Sequence, residues 1–164
     1  VGSSPVSFLD DFVGAHFRYP DHYVVGREKI REYATAVKND DAAFFDDAAA
    51  TELGYDALPA PLTFISVFGY QAQSAMFAAN SIAISDAQIV QVDQSLKFVR
   101  PIKAGDKLYC DVWIDSIRKA HGTDIIVTKN IVSNENGDVV QESYTTLAGR
   151  SEEDGESGFS HGTA

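Results

Sequence analysis

The sequence predicts an α+β fold, in which a curved antiparallel sheet of about five strands wraps one long central helix. Three observations predict it. Residues 61–79, PLTFISVFGYQAQSAMFAA, carry apolar side chains around nearly the whole helical circumference, the mark of a helix enclosed by other elements. From residue 88 onward the hydrophobic period changes from 3.6 to 2. The alternation is one-sided, which implies an antiparallel sheet with one face covered.

Within 61–79, Pro61 suits a first helical position because its missing N–H would be unpaired there. Nineteen residues would span roughly 28 Å, close to a membrane crossing. Thr63, Ser66, Tyr70, Gln71, Gln73 and Ser74 interrupt the segment and no basic flank follows, so a membrane span is rejected. Gly69, Ala72, Ala75 and Ala79 form a small-residue strip. Thr63, Ser66, Tyr70, Gln73 and Ser74 fall near one face. Two readings of that polar stripe stay open. Its groups either bond back to the helix or to water, or they line a channel or subunit seam.

The chain divides into a flexible lead (1–12), a single domain (13–150) and an acidic, disordered tail (151–164). Pro20-Asp21 marks a turn before a short extended piece at 23–25. Ile30, Tyr33, Ala34 and Val37 give 27–37 the spacing of an amphipathic helix. His16 and His22 are isolated and read as loop residues. Asp40, Asp41, Asp46 and Asp47 resemble a metal site at first sight. They also precede Ala-rich runs, where carboxylates cap helix N-termini. No His or Glu completes a ligand set beside them, so capping is the better reading. Gly54 ends a short helix at 47–53.

In 88–98 the alternation sets Val90, Val92, Leu96 and Phe98 on the inward face. In 107–117 it does the same for Leu108, Cys110, Val112 and Ile114, making Cys110 a packing residue. Strands at 124–132 and 139–147 are joined by a hairpin turn at 134–138. The edge strands of such a sheet are open to pairing with another chain.

Composition bounds the function. The 164 residues, 45% of them hydrophobic, suit one domain with a sizeable core. A net charge of −11 and a pI of about 4.6 disfavour nucleic acid as a partner. The single cysteine excludes an intrachain disulfide, and four scattered histidines give no metal-ligand spacing. No metal or cofactor is expected. Residues 1–8 lack the features of a signal peptide, so a cytoplasmic location is expected.

A sheet wrapped around a helix is the hot-dog fold, and FVRPIKAGDKL resembles the F-x-x-P-x-x-x-G-D-x-L stretch of MaoC-like hydratases and dehydratases. Over residues 16–150, HFRYPDHY, REKIREYA, APLTF, QIVQVDQ, AGDKLYCD, HGTDIIVTKN and YTTLAG are similar to the A-type subunits of mycobacterial (3R)-hydroxyacyl-ACP dehydratases. The resemblance implies a hydro-lyase of type II fatty-acid synthesis that serves mycolic acid elongation. It implies a heterodimer with a catalytic B-type subunit, an acyl carrier protein bearing a long 3-hydroxyacyl group, and a chain able to self-associate when alone.

Catalytic members carry G-D-x-N-P-x-H, and the resemblance puts Asn39 at the Asp position and Phe44 at the His position. Neither side chain exchanges protons, so no catalytic residue is expected in this chain. Pro61, at the family's thioester-polarising N–H, has no N–H to give. Thr63, Phe64, Ser66, Val67 and Tyr70 are the expected substrate-binding residues. A non-catalytic acyl-thioester-binding homodimer is the alternative, and a homodimeric hydratase using Asp40 and His121 a third. The carrier is expected to dock mainly on the partner, with Lys97, Arg100 and Lys103 auxiliary.

Overall fold

The structure, a computed structural model, describes residues 8–151 and 157–162. Its spine is a hairpin meander of three long strands. β5 (Lys107–Ala120) pairs with β6 (Thr123–Ser133), and β6 with β7 (Val139–Arg150). Short β1 (His16–Arg18) and β2 (Tyr23–Val24) pair with β5, and β4 (Ile89–Phe98) closes the other edge against β7. Every pairing is antiparallel. Register shifts at Gln91/Asp93, Ile114/Ser116 and Val132/Ser133 break the ladders, and such bulges bend a sheet and sharpen its twist.

Turn chemistry fixes these registers. The β5–β6 hairpin turns through His121 at φ 50° and Gly122 at φ 73°, the two left-handed residues that a tight hairpin needs. In the β6–β7 turn, Asn134 Oδ1 accepts from the N–H groups of Asn136 and Asp138, each at 3.0 Å. The Pro101–Asp106 motif is also a turn, in which Asp106 Oδ2 accepts from Lys103 N at 2.9 Å. It leads Leu108 into the core.

Helix α1 (Arg27–Ala36) buries Ile30 and Ala34. The aspartates do cap helices: Asp41 Oδ1 accepts from Ala43 N at 3.0 Å, and Asp46 Oδ2 from Ala49 N at 3.3 Å at the start of α2 (Asp47–Glu52).

The central helix differs from expectation. Leu62–Ile65 is a 3-10 turn and only Ser66–Ala79 (α3) is α-helical, a helix of roughly 21 Å. Pro61 stands just before the turn rather than inside a helix. Phe64, Ile65, Phe68, Ala72, Met76 and Phe77 are buried against the sheet, whereas Leu62 and Tyr70 are exposed. A helix lying on one curved layer has only one face to bury, so the outer side of α3 stays open. No helix among the described residues is long and apolar enough to cross a membrane.

β4 also departs from its pattern. Val90 and Val92 are 58% and 56% exposed, and Phe98 is exposed too. The bulge at Val92 breaks the alternation, and the strand lies at the rim, beyond the cover of α3.

The described parts of the lead and of the tail, residues 8–12 and 157–162, are built into the fold. Phe8–Phe12 is a 3-10 turn that buries Leu9 in the core. Phe159–His161 forms β8, paired with β3 (Ile82–Ile84). Phe159 is buried beside Phe77, with ring centroids 5.9 Å apart. Gly149 makes room for it, since a Cβ there would lie 2.5 Å from the Phe159 ring. Residues 1–7, 152–156 and 163–164, which complete the lead and tail, lie outside the described residues.

Candidate functional site

The site is built on polar residues at inward positions of the sheet. β6 alternates Asp124, Ile126, Thr128, Asn130 and Val132 towards α3, and Ser143, Thr145 and Leu147 face the same way from β7. Thr128 stands opposite Thr145, and Asn130 opposite Ser143. Thr145 in turn faces Gln94 of β4. Two polar rungs therefore cross the middle of this face, between the apolar pair of Ile126 with Leu147 on one side and Val132 on the other.

Above them lies the polar stripe of α3. Thr128 Oγ1 donates to Gln73 Oε1 at 3.1 Å, and Asn130 Nδ2 donates to the Gly69 carbonyl at 3.5 Å. Between stripe and rungs is a cavity of about 280 Å³, lined by Ser66, Tyr70, Gln73, Gln91, Gln94, Asn130 and their neighbours. Asn130 Oδ1 is buried there with no hydrogen-bond partner among the described residues. Leaving such an acceptor unmade is costly, so the cavity suits a ligand or chain that brings a donor. Its side at Gln91 and Gln94 is the exposed edge strand β4.

A second, apolar cavity of about 340 Å³ shares no lining residue with the first. It lies between Asp41–Tyr55, the Pro59–Leu62 entry to the central helix, and the Phe98–Ile102 segment after β4. Phe44 is one of its walls. The Gln141 amide lines it, and Nε2 of Gln141 is likewise buried without a partner.

The expected site residues divide. Ser66 and Tyr70 line the polar cavity. Phe64 does not, because it is fully buried in the core between Tyr23 and Tyr33. Thr63 is held by Tyr33, whose hydroxyl lies 2.8 Å from Thr63 Oγ1 and 3.0 Å from its carbonyl. Val67 is half-buried and lines neither cavity. Asn39 closes a turn by accepting from Asp41 N at 3.3 Å. Asp40 and His121 stand at opposite ends of the sheet, since Asp41, next to Asp40, lines a cavity with Ile102, ahead of β5, and His121 follows the end of β5. The 14 residues of β5 separate those ends by roughly 45 Å at about 3.3 Å per residue.

Sequence reasoning missed Thr128, Asn130, Ser143 and Thr145. The available signal was a run of polar residues at inward positions of two otherwise apolar strands, these four together with Asp124 and Gln141. Charge contributes little here. Lys103 is tied to Asp56 at 2.6 Å, which raises the lysine's pKa and lowers the carboxylate's. Burial pushes the Cys110 thiol up to about 12, which keeps it protonated and unreactive.

Residues 11–143 match the family described as FAS1-like, dehydratase domain region. The chain belongs to this dehydratase family. This dehydratase domain is 70% identical over 154 residues to a UPF0336 protein of Mycobacterium tuberculosis, covering 94% of this chain and 97% of the relative. Among solved structures it is similar to the C-terminally truncated HadBC (3R-hydroxyacyl-ACP dehydratase) complex of Mycobacterium tuberculosis. The TM-score is 0.77 and the identity 47%, over 85% of this chain and 98% of that one. A MaoC-like dehydratase matches with a TM-score of 0.79 and 36% identity, over 87% of this chain and 43% of the larger one. The dehydratase domain therefore has the hot-dog fold of the MaoC-like group.

Proposed function

We propose that this chain is the substrate-binding, partner-stabilising subunit of a (3R)-hydroxyacyl-ACP dehydratase of type II fatty-acid synthesis, serving mycolic acid elongation. A partner chain supplies the catalytic Asp and His. The observation that carries the proposal is the chemistry of the polar cavity. Its lining contains hydroxyls, amides and apolar groups but no carboxylate and no imidazole. Dehydration of a 3-hydroxyacyl thioester removes a proton from C2 and expels the C3 hydroxyl as water. Both steps need groups that exchange protons near neutrality, and none faces this space among the described residues.

The open side supports a second chain as their source. Among the described residues β4 has no strand on its outer side, and it exposes Val90 and Val92 beside Gln91 and Gln94, so a chain docked on this edge would cover apolar surface and close the cavity together. In this reading Ser66, Tyr70 and Gln73 line the acyl channel. Lys103 is engaged by Asp56, and Arg100 lies 3.9 Å from Asp138. Both cations are thus partly spent, in keeping with a carrier protein that docks mainly on the partner.

The test is hydration of crotonyl thioester by the purified chain, alone and with a B-type partner. The chain alone is expected to show no activity above a protein-free control, and the mixture to be active. Positioned acid–base groups typically supply about 100- to 10,000-fold each, so the contrast is large. Robust turnover by partner-free protein would overturn the subunit reading. A stable homodimer that binds acyl thioesters and takes no partner would favour a non-catalytic binding protein instead.

A further inference from the structure

We propose that Tyr33 is a positioning residue, whose hydroxyl holds the Leu62–Ile65 turn in its 3-10 form and so sets the walls that this turn gives to both cavities. Its effect on turnover rests on the subunit reading above; its effect on the turn does not.

The turn stands between the two cavities. Pro61 and Leu62 wall the apolar one, and Ile65 and Ser66 the polar one. Its helical form therefore decides how these walls are spaced. A 3-10 helix rises about 2.0 Å and turns about 120° per residue, against about 1.5 Å and about 100° in an α-helix. Over the 4 residues of the turn the two forms differ by roughly 2 Å and roughly 80°. Winding the turn into α3 would swing Leu62 around the axis relative to Ser66 and reshape both spaces.

Hydrogen bonds in a 3-10 helix are the poorer ones, so a contact from outside has to favour this form. Tyr33 supplies it. The Thr63 carbonyl accepts the turn's own bond from Ser66 N–H and lies 3.0 Å from the Tyr33 hydroxyl, which is also 2.8 Å from Thr63 Oγ1. In an α-helix the same carbonyl would turn to Val67 N–H; the contact with Tyr33 holds it where it is. The Tyr33 ring meets Phe64 edge to face, with centroids 5.5 Å apart at 78°, and Phe64 is fully buried. Helix α1 is itself anchored by buried Ile30 and Ala34 on either side of Tyr33, so the grip comes from a fixed element. A phenylalanine would fill the same place in the apolar spacing of α1 and make the same ring contact. The hydroxyl is what packing alone leaves unexplained. Tyr33 lines neither cavity, so it acts through the turn and not on a bound group. Where fit depends on wall position, misplacement by about 1 Å costs about 100-fold in rate.

The test is Tyr33→Phe, which keeps the ring and removes the hydroxyl. Amide hydrogen exchange of the ¹⁵N-labelled full-length chain reads the turn directly. Exchange at Ser66, whose N–H bonds back to the turn, is expected to quicken at least fivefold, with the amides of β5, β6 and β7 within twofold of native. In the complex with a B-type partner, kcat/KM for a long acyl thioester is expected to fall at least fivefold and that for crotonyl thioester less than twofold. Loss of folded protein would not produce that split. Unchanged exchange at Ser66 would overturn the proposal. Equal quickening across the sheet would overturn it too, by making Tyr33 a support of the whole fold. Equal losses on both thioesters, or none, would overturn the link from the turn to the cavities. If the native complex turns over neither thioester the subunit reading falls, and exchange in the chain alone still decides the role of Tyr33.

Discussion

β4 and β5 are written in the same alternating code and end in opposite environments. β5 buries Leu108, Cys110, Val112 and Ile114 completely beneath the helical layer. β4 sets Val90 and Val92 into solvent, and its Leu96 is only half-covered. The difference is position: β5 lies inside the sheet between β1 and β6, whereas β4 has β7 on one side and nothing described on the other. An apolar edge left open is a liability for a free chain and an advantage for one that is completed by another subunit.

The largest effect should come from weakening the buried strand. Ile114→Ala is expected to cost about 2–5 kcal/mol in urea unfolding of the monomeric chain, as large-to-small core substitutions do. Val90→Ala should change stability by no more than about 0.5 kcal/mol. Similar losses for the two variants would break the comparison.

Next in size is assembly. Replacing Val90 and Val92 together by Asp should leave the fold of the chain intact while weakening its association with a B-type partner about 100-fold, close to 2.8 kcal/mol. Sedimentation or calorimetric titration of the pair would measure it. Unchanged association would move the partner surface away from β4.

A smaller, selective effect is expected at the seam between the two regions. Ser66→Trp should lower turnover of long acyl substrates in the assembled enzyme by about tenfold, roughly 1.4 kcal/mol, and affect short ones less. Equal losses at both lengths, with stability unchanged, would count against a channel beside α3.

The smallest concerns Asp124, a carboxylate in the buried register of β6. Burial raises its pKa, so the folded state favours the protonated form. Its contribution to stability is therefore present at low pH and is lost as pH rises from the ordinary carboxylate range through the raised folded value. Asp124→Asn should melt above the native chain at pH 7, with the gap closing near pH 4, about the ordinary Asp pKa. Thermal melts across that range would show a gap of the opposite sign if Lys119 outweighs burial.

Local chemistry makes much of the fold legible in the amino-acid sequence alone. The strands at 107–117, 124–132 and 139–147, the Asn134–Asp138 turn and the caps at Asp41 and Asp46 each depend on residues a few positions apart, so their signals are complete within the sequence. The same holds for Ser66, Tyr70 and Gln73 sharing one helical face. What local chemistry cannot encode is which face is covered. A period of two says that Val90 and Val92 belong together, but the bulge at Val92 and the edge position of β4 decide that they meet solvent. A stretch that reads as acidic tail becomes β8 because Phe159 finds space at Gly149, earlier in the sequence but adjacent in the fold. Likewise Asn130 and Gln141 read as ordinary polar strand residues. Only the packing of α3 and of the 41–62 segment onto the sheet removes water from them without supplying a partner among the described residues, and that makes their unpaired amides the features on which binding can turn.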